Sequence, residues 1–140
     1  MSIRDSLNNY IRSVRDMPFS WGQHDCLTFT NNAFKAMYGS GWADDWIGRY
    51  DNQGSYVKRT ELEKEFGFKV RQLPNEIDKR LSPIDYIPPL GALVTTKESQ
   101  RWITGVAFGI STGTKAVFLS KEGLHPLSLE FVDQAWVKDT

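Results

Sequence analysis

Cys26 is the sole cysteine of the 140-residue chain, and it closes the stretch Pro18-Phe19-Ser20-Trp21-Gly22-Gln23-His24-Asp25-Cys26, after which a helical pattern begins. A thiol in the first turn of a helix meets unpaired N–H groups and the positive end of the helix dipole, which stabilise a thiolate and lower its pKa from about 8.5. One chemistry open to it is nucleophilic catalysis, which also needs a base and a group that orients the base. The other reading is a small buried hydrophobe, the commoner fate of a single cysteine. Two histidines could act as base. His24 stands two residues before the thiol, on a turn that points its ring away. His125 follows much later, beside Pro126 in a strand pattern, and meets Cys26 only under one alignment of the strands; otherwise it is a surface or packing residue. A thiol without a base is only a few per cent ionised at neutral pH, and a helix end alone seldom builds a hydrolase.

The elements that must position these groups follow from the spacing of apolar residues. Ile3, Leu7, Tyr10 or Ile11, and Val14 recur at helical intervals between charges and stop before Pro18, which predicts an amphipathic first helix. Trp21-Gly22 reads as a turn with the indole packed beneath it, and Asp25 as the N-cap of the next helix. From Cys26, one stripe holds Phe29, Ala33 and Met37 and another holds Leu27, Phe34 and Tyr38, so this helix is apolar around much of its girth and must be central. Gly39-Ser40-Gly41 stops it. The stretch from Trp42 to Ser55 reads as an irregular loop with one helical turn at Asp45-Trp46-Ile47. Its Asp44, Asp45 and Asp51 match no calcium-loop spacing and are expected to be solvated acids, so no metal is expected.

Thr60-Glu61-Leu62-Glu63 fits a capping box for a short helix ending at Gly67, and a second short helix is predicted from Pro74 or Asn75 to Leu81. Pro83, Pro88 and Pro89 mark an extended connection, and beyond it the pattern is that of strands: 91–96, 101–110, 115–120, 124–127 and 135–137. In the second of these, Trp102, Thr104, Val106, Phe108 and Ile110 share a face, with Gly105, Ala107 and Gly109 opposite. That small face is expected to let the helix lie close against the sheet. Pro126 favours an edge position. Helices followed by a meander of strands make an α+β arrangement.

Composition narrows the function. One chain of this length holds one domain, 1–140, with one core. Lys and Arg together number 17, as do Asp and Glu, so no net field draws the protein to nucleic acid. The N-terminus Met1-Ser2-Ile3-Arg4-Asp5 is charged from the start, unlike a signal peptide, and no transmembrane run occurs, so synthesis in the cytoplasm without membrane insertion is expected. A lone cysteine forms no internal disulfide, and nothing here requires an oxidising compartment.

The order of Trp21-Gly22, Asp25-Cys26, Gly91-Ala92-Leu93-Val94 and Gly105-Val106-Ala107-Phe108-Gly109-Ile110 resembles the NlpC-type cell-wall cysteine peptidases, a papain-like family. Within it, the likeness is to the short relatives encoded by tailed bacteriophages, and it covers most of the chain beyond residue 18. The resemblance implies an NlpC-type α+β fold with the cysteine helix packed on a C-terminal antiparallel sheet. It also implies a thiolate that attacks a peptide bond of the peptidoglycan stem, with a histidine base from the second core strand and a third polar residue orienting it. The base must lie within about 3 Å of the sulfur, with oxyanion donors near the helix N-terminus. This chain departs from the pattern. Thr104 or Gly105 stands where the histidine is expected, Ala92 replaces the usual acid of the Gly-Asp-Leu-Val strand, and the third position falls near Ser120. The resemblance therefore implies first a phage tail-tip or tail-assembly protein, degenerate as a peptidase, resident in the virion tail, without cofactor, and binding other tail proteins. The alternative is an active phage-borne peptidase or amidase that uses Cys26 with His125 on peptidoglycan. A thiol enzyme unrelated to phage is a third reading.

Overall fold

A computed structural model describes residues 2–20, 23–47, 63–64, 66–99 and 106–138. The readings made for Trp21, Gly22, Asp51, the Thr60-Glu61-Leu62 cap and residues 101–105, Thr104 and Gly105 among them, lie outside the described residues. The described chain is α+β, with three helices and a six-stranded antiparallel sheet. Helix α1 spans Ile3–Val14, α2 Cys26–Tyr38 and α3 Leu73–Asp78, the last preceded by a 3-10 turn at Val70–Gln72. The strands are β1 Ser82–Ile84, β2 Leu93–Thr96, β3 Ala107–Ser111, β4 Lys115–Ser120, β5 Gly123–Ser128 and β6 Gln134–Val137. They lie in the order β1-β6-β2-β3-β4-β5, so the last strand slots between β1 and β2. Pro83 therefore sits in a short edge strand where the sequence pattern predicts an extended connection, and Pro126 lies in the opposite edge strand, as expected. Proline survives at both places because an edge strand has one side with no ladder to complete.

Local chemistry accounts for the helix ends. Ser2 caps α1 by accepting a hydrogen bond from the Asp5 N–H at 3.1 Å. Helix α2 ends at Gly39, whose φ of 91° is the left-handed value that glycine adopts without penalty, and whose N–H reaches the Lys35 carbonyl. Leu7 and Val14 of α1 are buried, and Tyr10 stacks on Phe29 of α2 with ring centroids 5.8 Å apart.

The sheet separates two apolar clusters. On the helix side, Cys26, Leu27, Phe29, Ala33, Phe34 and Met37 of α2 pack with Trp42, Trp46, Leu93, Phe108, Ile110, Leu119 and Trp136. On the far side lie Ala92, Val94, Ala107, Ala116, Phe118 and Ala135. The helix thus covers the large-residue face of β3, opposite to the small-face packing expected from sequence. The glycine on that small face has a different occupant: a Cβ on Gly109 would come within 2.6 Å of the Phe118 ring and of the Val117 carbonyl. Gly109 makes room for an aromatic side chain of the neighbouring strand and not for a helix.

The loop after α2 is held by side chains. Asn31 donates to the Asp44 carboxylate at 2.8 Å and accepts from the Ala43 N–H at 2.7 Å, and Asp44 also accepts from the Gly41 N–H. Both nitrogens of the Arg80 guanidinium donate to Asp45, and its plane lies 4.0 Å over the Trp46 ring. Asp44 and Asp45 are exposed, as the sequence predicts for loop acids, and through these contacts they also tie the loop. Instead of a full helical turn at Asp45-Trp46-Ile47, a turn closes there through the Trp46 N–H and the Ala43 carbonyl.

Candidate functional site

The start of α2 is a reciprocal cap. Asp25 is extended, its carboxylate accepts from the Thr28 N–H at 2.9 Å, and the Thr28 hydroxyl accepts from the Asp25 N–H at 2.7 Å. This capping box uses two of the N–H groups that every helix start leaves unpaired. It fixes Cys26 as the first helical residue, as the sequence predicts.

That position does not yield a thiolate. Cys26 is only 4% exposed, and burial, reinforced by the Asp25 carboxylate, pushes its thiol up to about 12 against the opposing pull of the Phe108, Cys26 and Leu27 N–H groups. The competition follows from magnitudes. A helix end supplies typically 0.3–1 kcal/mol, roughly, whereas full burial of an ionisable group shifts its pKa by up to about 3–5 units. Desolvation wins, and the sulfur is a protonated core atom at neutral pH.

Neither histidine is among the charges or hydrogen bonds that shift the thiol. His24 is 3% exposed, its backbone is pinned to Ser20 through hydrogen bonds of 2.7 and 3.0 Å, and its Nε2 has no hydrogen-bond partner among the described residues. Burial lowers its pKa against the opposing effect of Asp25, so the ring is held neutral. His125 lies on the other side of the sheet. It is directly across from Phe118, and such pairs project to one face; their rings are 6.3 Å apart, and Phe118 belongs to the far-side cluster. Cys26 belongs to the helix-side cluster. The pairing of Cys26 with His125 expected from sequence is thus not formed: the sheet stands between the two side chains.

Ser120, read from sequence as a third polar residue, does fall near His125 but not near Cys26. Glu98, Ser99, Ser120, Glu122, Gly123 and His125 line a shallow cavity of about 330 Å³. There the Ser120 hydroxyl donates to the Glu122 carboxylate at 3.1 Å, Ser99 Oγ lies 3.0 Å from His125 Nε2, and His125 Nδ1 lies 3.4 Å from the Gly123 carbonyl. Ser99 is the partner that sequence reasoning misses, because nothing in a loop 26 positions away marks it as facing β5. Ala92, at the position of the missing acid, is buried in the far-side cluster. Among the described residues no three His, Cys, Asp or Glu side chains gather to hold a metal, and no helix is long and apolar enough to cross a membrane.

A groove of about 490 Å³ runs between the segment 84–88 and the segment 129–135. Its apolar lining includes Ile84, Tyr86, Ile87 and Val132, and its charged residues are Asp85, Glu130 and Asp133. Tyr86 and Ile87 are 61% and 77% exposed, and nearby Phe131 is 44% exposed.

The architecture is that of an α+β domain with a capped cysteine helix laid on an antiparallel sheet. Residues 2–137 match the family described as a domain of unknown function, DUF6950, and the chain belongs to that family. No curated protein matches it.

Proposed function

We propose that this protein is a non-hydrolytic component of a bacteriophage tail tip or tail-assembly complex, built on an NlpC-type papain-like fold. The observation that carries the non-hydrolytic part is the state of Cys26: a buried thiol with its pKa raised to about 12, and with His125 on the opposite face of the sheet. Support for the tail comes from the resemblance of Trp21-Gly22, Asp25-Cys26 and the Gly91 and Gly105 strand segments to the short phage relatives of that family. Binding is supported by the groove beside Tyr86 and Ile87, where large apolar side chains stand in solvent beside three acids. Its charge fits a tail partner presenting an apolar segment that carries Lys or Arg.

Two measurements test the two parts separately. Immunoblotting of purified virions is expected to find the protein in the tail fraction; virions that lack it would remove the tail assignment. Incubation with muropeptides is expected to give no cleavage, and cleavage that disappears in Cys26→Ala would establish the active peptidase instead.

A further inference from the structure

A small, partly open cavity lies on the helix side of the sheet. Gln134, Thr95 and Phe108 stand in direct register across β6, β2 and β3, so they present their side chains to one face and form its floor. Ile77 of α3 and Trp136 of β6 wall it, Arg71 stands at its rim, and the volume is about 120 Å³. The floor contains an anomaly. Thr95 is 1% exposed, yet its hydroxyl oxygen has no hydrogen-bond partner among the described residues. Most other buried hydroxyls among the described residues are satisfied, Thr28 and Thr30 by carbonyls of α2 and its cap, Thr96 by the Phe131 carbonyl, and Ser111 by the Pro88 carbonyl; the Tyr10 hydroxyl, outside this cavity's lining, is the other that is not. A buried hydroxyl left unpaired costs free energy that a bound group can recover. At the rim, Arg71 is exposed and takes part in none of the ion pairs that join described residues.

We propose that this cavity binds a small hydroxycarboxylic acid. The apolar body sits between Ile77, Phe108 and Trp136, its hydroxyl meets Thr95, and its carboxylate meets the Arg71 guanidinium in the planar fork that arginine offers. At about 120 Å³ the cavity is smaller than the roughly 150 Å³ that encloses benzene, so the body is at most one six-membered ring, with its carboxylate end in the open mouth beside Arg71. The site is independent of the tail reading, and it needs no chemistry from Cys26.

The test uses 4-hydroxybenzoate, with 4-hydroxybenzamide lacking the charge and benzoate lacking the hydroxyl, titrated into the full chain and followed by two-dimensional amide NMR. The acid is expected to give saturable shifts at Thr95, Phe108 and the Trp136 indole, and to bind about tenfold more tightly than the amide. Arg71→Gln should bring acid and amide to equal affinity, and Thr95→Val should do the same for 4-hydroxybenzoate and benzoate. Ile77→Trp, which fills the cavity, should abolish binding. A melting curve checks that each variant is folded, and Thr95→Val, close in shape to the original, decides the matter if Ile77→Trp is not. No saturable shift with 4-hydroxybenzoate would overturn the proposal and leave a cavity filled by water. So would equal binding of acid and amide to the unaltered chain, or binding that persists in a folded Ile77→Trp variant.

Discussion

The two faces of the sheet hold the two halves of a chemistry that never meets. The helix face carries Cys26 under Trp42, Phe108 and Trp136, and the far face carries His125 beside Ser99, Ser120 and Phe118. One face is a core of large side chains in which a thiol is only a small apolar filler. The other is packed with alanines around one phenylalanine and opens to water at its edge. The comparison teaches that the two-residue period of a strand decides whether a side chain can take part in a site. Leu124, one position before His125, packs against the helix-side cluster, whereas His125 faces away from it. The residue type needed for a base is present, on the wrong parity of an edge strand.

Removing a large side chain from the helix face should do the most damage. Trp136 is 2% exposed and its indole N–H donates to the Asp78 carboxylate at 2.8 Å, tying β6 to α3. Trp136→Ala is expected to cost about 3–5 kcal/mol in chemical denaturation, whereas Ile87→Ser in the solvent-exposed segment should stay within about 0.5 kcal/mol. Equal losses at the two sites would abolish the distinction between core and groove.

Overfilling the far face comes next. Gly109→Val would drive a side chain into the Phe118 ring and the Val117 carbonyl, and is expected to cost about 1–3 kcal/mol. Phe118→Leu in the same chain should restore only part of this, since the contact with the Val117 backbone remains. Full recovery would mean that the ring alone sets the limit.

The smallest effect is one of pH. The raised pKa of Cys26 means that the unfolded chain releases its thiol proton near the ordinary value of 9.0 while the folded chain keeps it up to about 12. Stability should therefore decline as pH rises above about 9, less so in Cys26→Ala, and alkylation of the native thiol should be negligible at neutral pH. The lowered pKa of His24 acts in the opposite direction: below the ordinary 6.5 the unfolded chain takes up a proton that the folded chain refuses, so stability should also fall on the acid side. Melting temperatures from pH 5 to 10 check both limbs; rapid alkylation of the folded protein at pH 7 would contradict the buried thiol.

Much of the frame is legible in the sequence because it rests on local rules. Asp25 before the first apolar residues, and Gly39 after the last, announce the ends of α2 without reference to anything distant. The strands from residue 93 onward follow from alternation, and Pro126 correctly marks an edge. What was not legible depends on partners far along the chain. The small face of β3 invites a helix until Phe118 is known to lean over Gly109. The environment of Cys26 depends on a residue as distant as Phe108, and the facing of His125 on its register with Phe118. Asp44 and Asp45 are solvated as expected, but their ties to Asn31 and Arg80 are invisible until the fold places those partners beside them.

The place of β6 between β1 and β2 has a consequence for biosynthesis. A ribosome releases β1 through β5 first, and at that moment the two strands destined to flank β6 face an open slot with their ladder groups unmatched. Trp136, the largest of the fully buried side chains, arrives with the strand that fills it. The sheet is therefore completed from its interior by the last strand to emerge, through contacts between residues more than 50 positions apart, such as Ser82 with Val137. Such distant pairing makes folding slow and leaves the nascent chain exposed to association through its open strands until β6 has emerged.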